Sequence, residues 1–131
     1  MVFPWSTKKD SYLQVKADVQ ILDKYIRTVF INMGKIPSKG YDYSLLYHDP
    51  NKVKPAFEAI VDHLEKWKEL FSALEFPTRG FNKSIFLRNI AAIISLCEVV
   101  VAKPDHFFPT SKDLKTAADN YLEYSKKLFL L

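Results

Sequence analysis

Few residues in this chain have the type and spacing to do chemistry. Its histidines are His48, His63 and His106, and its one cysteine is Cys97. His48-Asp49 and Asp105-His106 pair an imidazole with a carboxylate, the donor types a divalent metal takes. Both fall in connections between helical segments, where solvated surface groups are the expectation, so no metal is expected. Carboxylate-bridged two-metal sites in helical bundles need Glu-x-x-His motifs projecting inward, and no histidine here has a glutamate three residues before it. His63 stands between Ile60 and Leu64, with Asp62 and Glu65 beside it, and reads as a residue on a helix flank. Cys97 is flanked by Leu96 and lies one turn from Ile93, Ile94 and Val100. A cysteine in such company packs as a small hydrophobe and has no base to activate it. The chain also lacks a glycine-rich phosphate loop, a nucleophile elbow and paired zinc cysteines. No catalytic residue and no cofactor is expected.

Residues suited to binding are more numerous. Nine of the 19 aromatic residues fall outside the helical segments: Phe3, Trp5, Tyr41, Tyr43, Tyr47, Phe76, Phe81, Phe107 and Phe108. Connections normally face water and carry polar residues. Such rings either fold back to plug the ends of the core or anchor a partner, since aromatic side chains are enriched in interface cores. The expected contact surfaces are Phe3 and Trp5 in the terminal arm, Tyr41, Tyr43 and Tyr47 in the first connection, and Phe107 and Phe108 in the last. Charge gives a second candidate. No acidic residue occurs between Glu75 and Glu98, whereas Arg79, Lys83 and Arg88 do. With Lys8, Lys9, Lys126 and Lys127, Arg79 and Lys83 would form a basic end where the start of the third helix also favours anions. Asp10, Glu75 and Glu123 dilute it, and no nucleic-acid motif accompanies it.

The elements that must position these residues are legible from periodicity. Tyr12, Val15, Val19, Leu22, Ile26, Val29 and Met33 recur at alternating steps of three and four, one stripe of a helix over 10–33. Gly34 follows, suited to a left-handed cap. A second stripe, Val53, Phe57, Ile60, Leu64, Trp67, Phe71 and Leu74, predicts a helix over 53–75, with Asp49-Pro50 and Lys54-Pro55 as entry signals and Pro77 ending it. Residues 84–102 are apolar nearly all round, too long for a strand, and suit a helix buried on most of its circumference, with Asn82 as its N-cap. Leu114, Ala117, Tyr121, Tyr124, Leu128 and Leu131 predict a fourth helix over 111–130, capped by Thr110 or Ser111. The expected fold is a single-domain, all-α four-helix bundle, up-down-up-down, with an N-terminal arm over 1–9 and a long first connection.

The 131 residues suit one domain, and the formal charge of +4 comes from mixed rather than clustered signs. The N-terminus has no basic start followed by a long apolar stretch, so a cytoplasmic or equivalent interior compartment is expected. Segment 84–102 approaches bilayer length, yet it carries Arg88 and Glu98, and the three amphipathic segments need it as a core partner. No transmembrane segment is therefore expected. The expected function is non-enzymatic: a small basic bundle subunit that assembles with protein chains, its own copies or a larger complex. The alternative is a bundle that binds or packages nucleic acid through phosphate contacts.

Overall fold

The computed structural model describes the backbone of residues 4–31 and 50–130. Side chains are described from Tyr12 onward in the first stretch and throughout the second except Pro50 and Phe108. Four long helices account for nearly all of it: α1 (Pro4–Ile26), α2 (Pro50–Ala73), α3 (Lys83–Ala102) and α4 (Phe107–Phe129). A π-helical turn, Arg27–Ile31, extends α1, and a 3₁₀ turn, Pro104–His106, leads into α4. No strand occurs among the described residues, and the chain is an all-α bundle.

Ring contacts fix the packing. Phe71 near the end of α2 meets Phe86 at the start of α3, with centroids 5.4 Å apart. Phe86 in turn meets Tyr121 in the last third of α4 at 5.5 Å. At the opposite end Phe57 of α2 meets Phe107, the first residue of α4, also at 5.5 Å. Neighbouring α2, α3 and α4 are therefore antiparallel. α1 packs on α4 through Asp23, which accepts a hydrogen bond from Ser125 Oγ at 3.1 Å. Further along α1, Tyr25 lies 4.2 Å from His63 in the middle of α2. α1 thus lies against both α4 and α2 and completes the bundle, whose path is up-down-up-down.

The core forms as the apolar stripes predict, with two shifts. In α1 the buried positions are Val15, Val19, Leu22, Ile26 and then Phe30, with Val29 only half-buried. A strict three-four alternation places Val29 inward. The π turn is wider, so a four-residue step completes it and the next inward residue is Phe30. In α4 the buried set is Leu114, Ala118, Tyr121, Leu122, Ser125 and Leu128. Ala117 and Tyr124 are half-buried at its edge, because an α-helix turns every 3.6 residues and drifts off a 3.5-residue stripe.

Two boundaries also differ. Residues 4–9 of the expected arm belong to α1. α4 begins at Phe107 instead of residue 111, so Thr110 is no cap: its hydroxyl donates to the His106 carbonyl at 3.0 Å inside the first turn. Pro109 is accommodated there because first-turn N–H groups have no intrahelical acceptor to lose. α3 is also less enclosed than its composition implies. Phe86, Ile90, Ile93, Ile94, Cys97 and Val100 are buried, while Ile85, Arg88, Ala92, Ser95, Glu98 and Val99 are exposed. A helix in a four-membered ring has neighbours on two sides only, so its outward stripe faces away from the protein. By length and composition α3 is the one helix among the described residues able to cross a bilayer, and a third of that stretch is buried within the bundle.

Candidate functional site

The turn from α2 to α3 takes its geometry from five residues. Gly80 takes φ 79°, a left-handed conformation in which a side chain would crowd the backbone. Asn82 caps α3, its Oδ1 accepting from the Ile85 N–H at 3.2 Å. Phe76 and Phe81 fold inward and stack at 5.6 Å, closing this end of the core against Phe71 and Phe86. Tyr124 ties α4 to the turn: its hydroxyl accepts from the Asn82 N–H at 2.8 Å and donates to the Asn82 carbonyl at 3.3 Å. A shallow depression of about 410 Å³ lies here, lined by Thr78, Gly80, Phe81, Asn82, Lys83, Ser84 and Tyr124.

The fold does gather basic residues at this end, but they are engaged. Lys83 Nζ donates to the Ser72 and Leu74 carbonyls, both at 2.7 Å, and sits 5.8 Å above the Phe76 ring. It satisfies carbonyls that the end of α2 leaves without partners. Lys126 pairs with Glu123 at 2.9 Å. Lys127 lies over the Tyr124 ring at 5.1 Å. Arg79 is exposed on the turn itself. Lys8 and Lys9 lie in α1, and their side chains are outside the described residues.

Of the aromatic contact residues, Phe107 is corrected: it is buried against Phe57 as part of the core. Its helix starts a turn earlier than the sequence suggests, and the ring then points inward. Phe3, Tyr41, Tyr43 and Tyr47 lie outside the described residues, as do the side chains of Trp5 and Phe108. Of the aromatic residues that the sequence places outside the helices, those with described side chains, Phe76, Phe81 and Phe107, plug the bundle.

The chemistry-bearing residues are held structurally. Trp67 Nε1–H donates to His63 Nε2 at 3.0 Å, and Tyr25 packs on the other side of that imidazole. Cys97 is fully buried, and desolvation, with a contribution from Glu98, pushes its thiol up to about 12. Desolvation likewise raises Tyr25 to about 12, with nearby Cys97 adding to the shift. Asp105 and His106 approach to 3.8 Å in an exposed turn. Among the described residues no three histidine, cysteine, aspartate or glutamate side chains come together as a metal site. His48 and Asp49 lie outside them.

Sequence reasoning missed one polar cluster, between α1 and α4. Asp23 sits off the apolar stripe, yet it is half-buried against Ser125 and Tyr121, which are fully buried. Desolvation raises its carboxyl above the usual 3.8, against hydrogen bonding from α4 and the attraction of Arg27, which lower it. The only sequence signal was position: Asp23 adjoins the core residue Leu22, and Ser125 follows Tyr121 by one turn.

Among the described residues, two apolar surface features involve α1 and the α2–α3 seam. Leu13 and Ile21 of α1 are 56% and 57% exposed, with exposed Ala17 midway between them, so the three line one face over two turns. Between α2 and α3 a groove of about 310 Å³ is lined by Val61, Val101 and Ala102 and flanked by Glu58 and Glu98. Neither of these glutamates makes an ion pair among the described residues.

Comparison of the chain with models of known protein families, with curated proteins and with solved structures finds no match in any of the three.

Proposed function

We propose that the protein is a non-enzymatic bundle subunit whose work is assembly with protein chains, and that α1 supplies the contact surface. The observation that carries this reading is the Leu13–Ala17–Ile21 row. Large aliphatic side chains scattered singly over a surface mean little, but an aligned pair on one helix face is the pattern with which helices dock. Burying one such side chain is worth about 1.5–3 kcal/mol, so leaving both in water is unfavourable unless a partner covers them. A second copy of the chain has a matching feature. The groove beside Val61 and Val101 is apolar with two acidic rims, and the row on α1 is followed one turn on by the exposed Lys24. In this reading α3 is a wall of the bundle, because Arg88 and Glu98 stand on its outward face.

Phosphate binding has less support. Lys83 and Lys126 are occupied by protein acceptors, and the α3 N-terminus is capped by its own asparagine. A catalytic role would need an activated group, and burial holds the Cys97 thiol in its protonated form.

The test is a photo-crosslink. With Ala17→p-benzoylphenylalanine in the purified chain, irradiation is expected to give an adduct of two chains, whereas the same probe at exposed Glu65 on α2 gives little. Equal yields from the two positions, or none from either, contradict self-assembly through α1.

A further inference from the structure

The outward face of α3 carries a row of its own. Ile85, Arg88, Ala92, Ser95, Val99 and Ala102 are all exposed and follow one another at alternating steps of three and four. That is the spacing of a seam between paired helices, and it lies on the side opposite the buried Ile90, Ile93 and Cys97. Arg88 stands on the row and Glu98 flanks it, and neither makes an ion pair among the described residues. Ten residues separate them, about 15 Å along one helix, so they cannot meet within a chain. The order of the residues selects what can cover this face. A second α3 running parallel would set Arg88 against its own like charge. Running antiparallel, about a two-fold axis level with Ile93 and Ile94, it sets Arg88 against Val99, with Glu98 of the second copy beside it. The same register sets Ile85 against Ala102, a large side chain on a small one. It also sets Ala92 against Ser95, both small enough for close approach. A lipid surface matches the row less well, because hydrocarbon leaves both charges without partners.

We propose that α3 is a second contact, a two-fold antiparallel pairing with α3 of another copy of this chain, in which Arg88 of each copy reaches Glu98 of the other. The apolar stem of the arginine lies along Val99 while its guanidinium meets the carboxylate at the edge of the seam. The two-fold axis makes the ion pair twice. The pairing rests on the α1 reading for its strength. One helix face is small against the ~1,200–2,000 Å² that specific, stable interfaces bury. It is therefore transient in lone chains and is held where α1 has already brought copies together. Glu58, the other acidic rim of the groove beside Val61, remains to face Lys24 in that first contact.

The test uses Val99→p-benzoylphenylalanine in the full chain beside the Ala17 probe. Irradiation is expected to join position 99 of one chain to residues 84–88 of another, located by mass spectrometry of the adduct. Arg88→Glu is expected to reduce that adduct about tenfold by setting like charges together, while the Ala17 adduct is unchanged. Glu98→Arg reduces the position-99 adduct in the same way. Mixing the two variant chains restores it, because unlike charges then meet across the axis. Both substitutions fall on exposed positions, and circular dichroism checks that helicity is equal. Attachment at residues 95–103 of the second chain, an Ala17 adduct with none from position 99, or no recovery on mixing overturns the α3 pairing and leaves the α1 contact standing. Adducts to the acyl chains of phosphatidylcholine vesicles in place of a second chain also overturn it. A position-99 adduct at residues 84–88 with none from Ala17 sinks the α1 contact alone, and none from either probe sinks both.

Discussion

Two polar side chains, one buried and one half-buried, show how the fold uses residues that look chemically ready. Cys97 is the chain's only thiol, and its environment removes every means of activating it. It is buried, its neighbours are Ile93, Ile94 and Val100, and its thiol is raised to about 12. Alkylation of the native protein at pH 8 should run about a thousandfold slower than that of a free thiol, and reach full rate on unfolding. Mass spectrometry of timed iodoacetamide labelling checks this, and a native rate close to the free one would refute it. Lys83 looks like a phosphate ligand in the sequence, but its ammonium bridges two carbonyls at the end of α2. Lys83→Met should therefore cost about 1–3 kcal/mol in urea unfolding while leaving inorganic phosphate binding unchanged. A variant of normal stability would mean that those two bonds contribute nothing.

At the scale of elements, the α2–α3 turn and the π turn make contrasting cases. Gly80 at φ 79° and the Asn82 cap set the angle at which α3 leaves the turn. Asn82→Ala should lower stability by about 1 kcal/mol, and Gly80→Ala by a similar amount, each read from the midpoint of thermal or urea unfolding. The Asn82 cap and the end of α2 were legible in the sequence, because an asparagine before an apolar run and a proline after an apolar stripe are local signals; the left-handed Gly80 was not read. The α2 stripe was legible too: Val53, Phe57, Leu64 and Phe71 are all buried as spaced. What could not be read were features set by a neighbour. The π turn moves the inward position from Val29 to Phe30 without any glycine or proline to announce it. Thr28, whose hydroxyl donates to the Lys24 carbonyl at 2.8 Å, competes for the backbone there, but threonines do so in ordinary helices as well. The outward stripe of α3 was hidden for a related reason. Ala92, Ser95 and Val99 are no more polar than residues in the core, so composition cannot separate the sides; only the placement of α2 and α4 does. The Asp23–Ser125 contact joins residues 102 positions apart, and nothing local to either predicts the other.

For the whole molecule, the fold accounts for its aromatic residues more completely than for its aliphatic ones. Phe71, Phe76, Phe81, Phe86 and Tyr121 make one continuous cluster that closes an end of the bundle, and Phe107, the one expected contact ring whose side chain is described, is core as well. Leu13 and Ile21 remain uncovered on α1, the helix held to α4 by a contact built around Asp23. The candidate binding surface was thus only half legible: the sequence places both residues off the stripe, but a lone Leu or Ile off a stripe is common, and their alignment with Ala17 matters only because none of the described helices covers that side. Assembly through this face is the central claim. Its most direct test is light scattering on a dilution series of the purified chain, compared with the double variant Leu13→Glu, Ile21→Glu, with circular dichroism confirming equal helicity. The account predicts a mass above 15.2 kDa that rises with concentration for the unmodified chain and stays at the monomer value for the variant. Two monomers at every concentration, or two assemblies of equal mass, would contradict it.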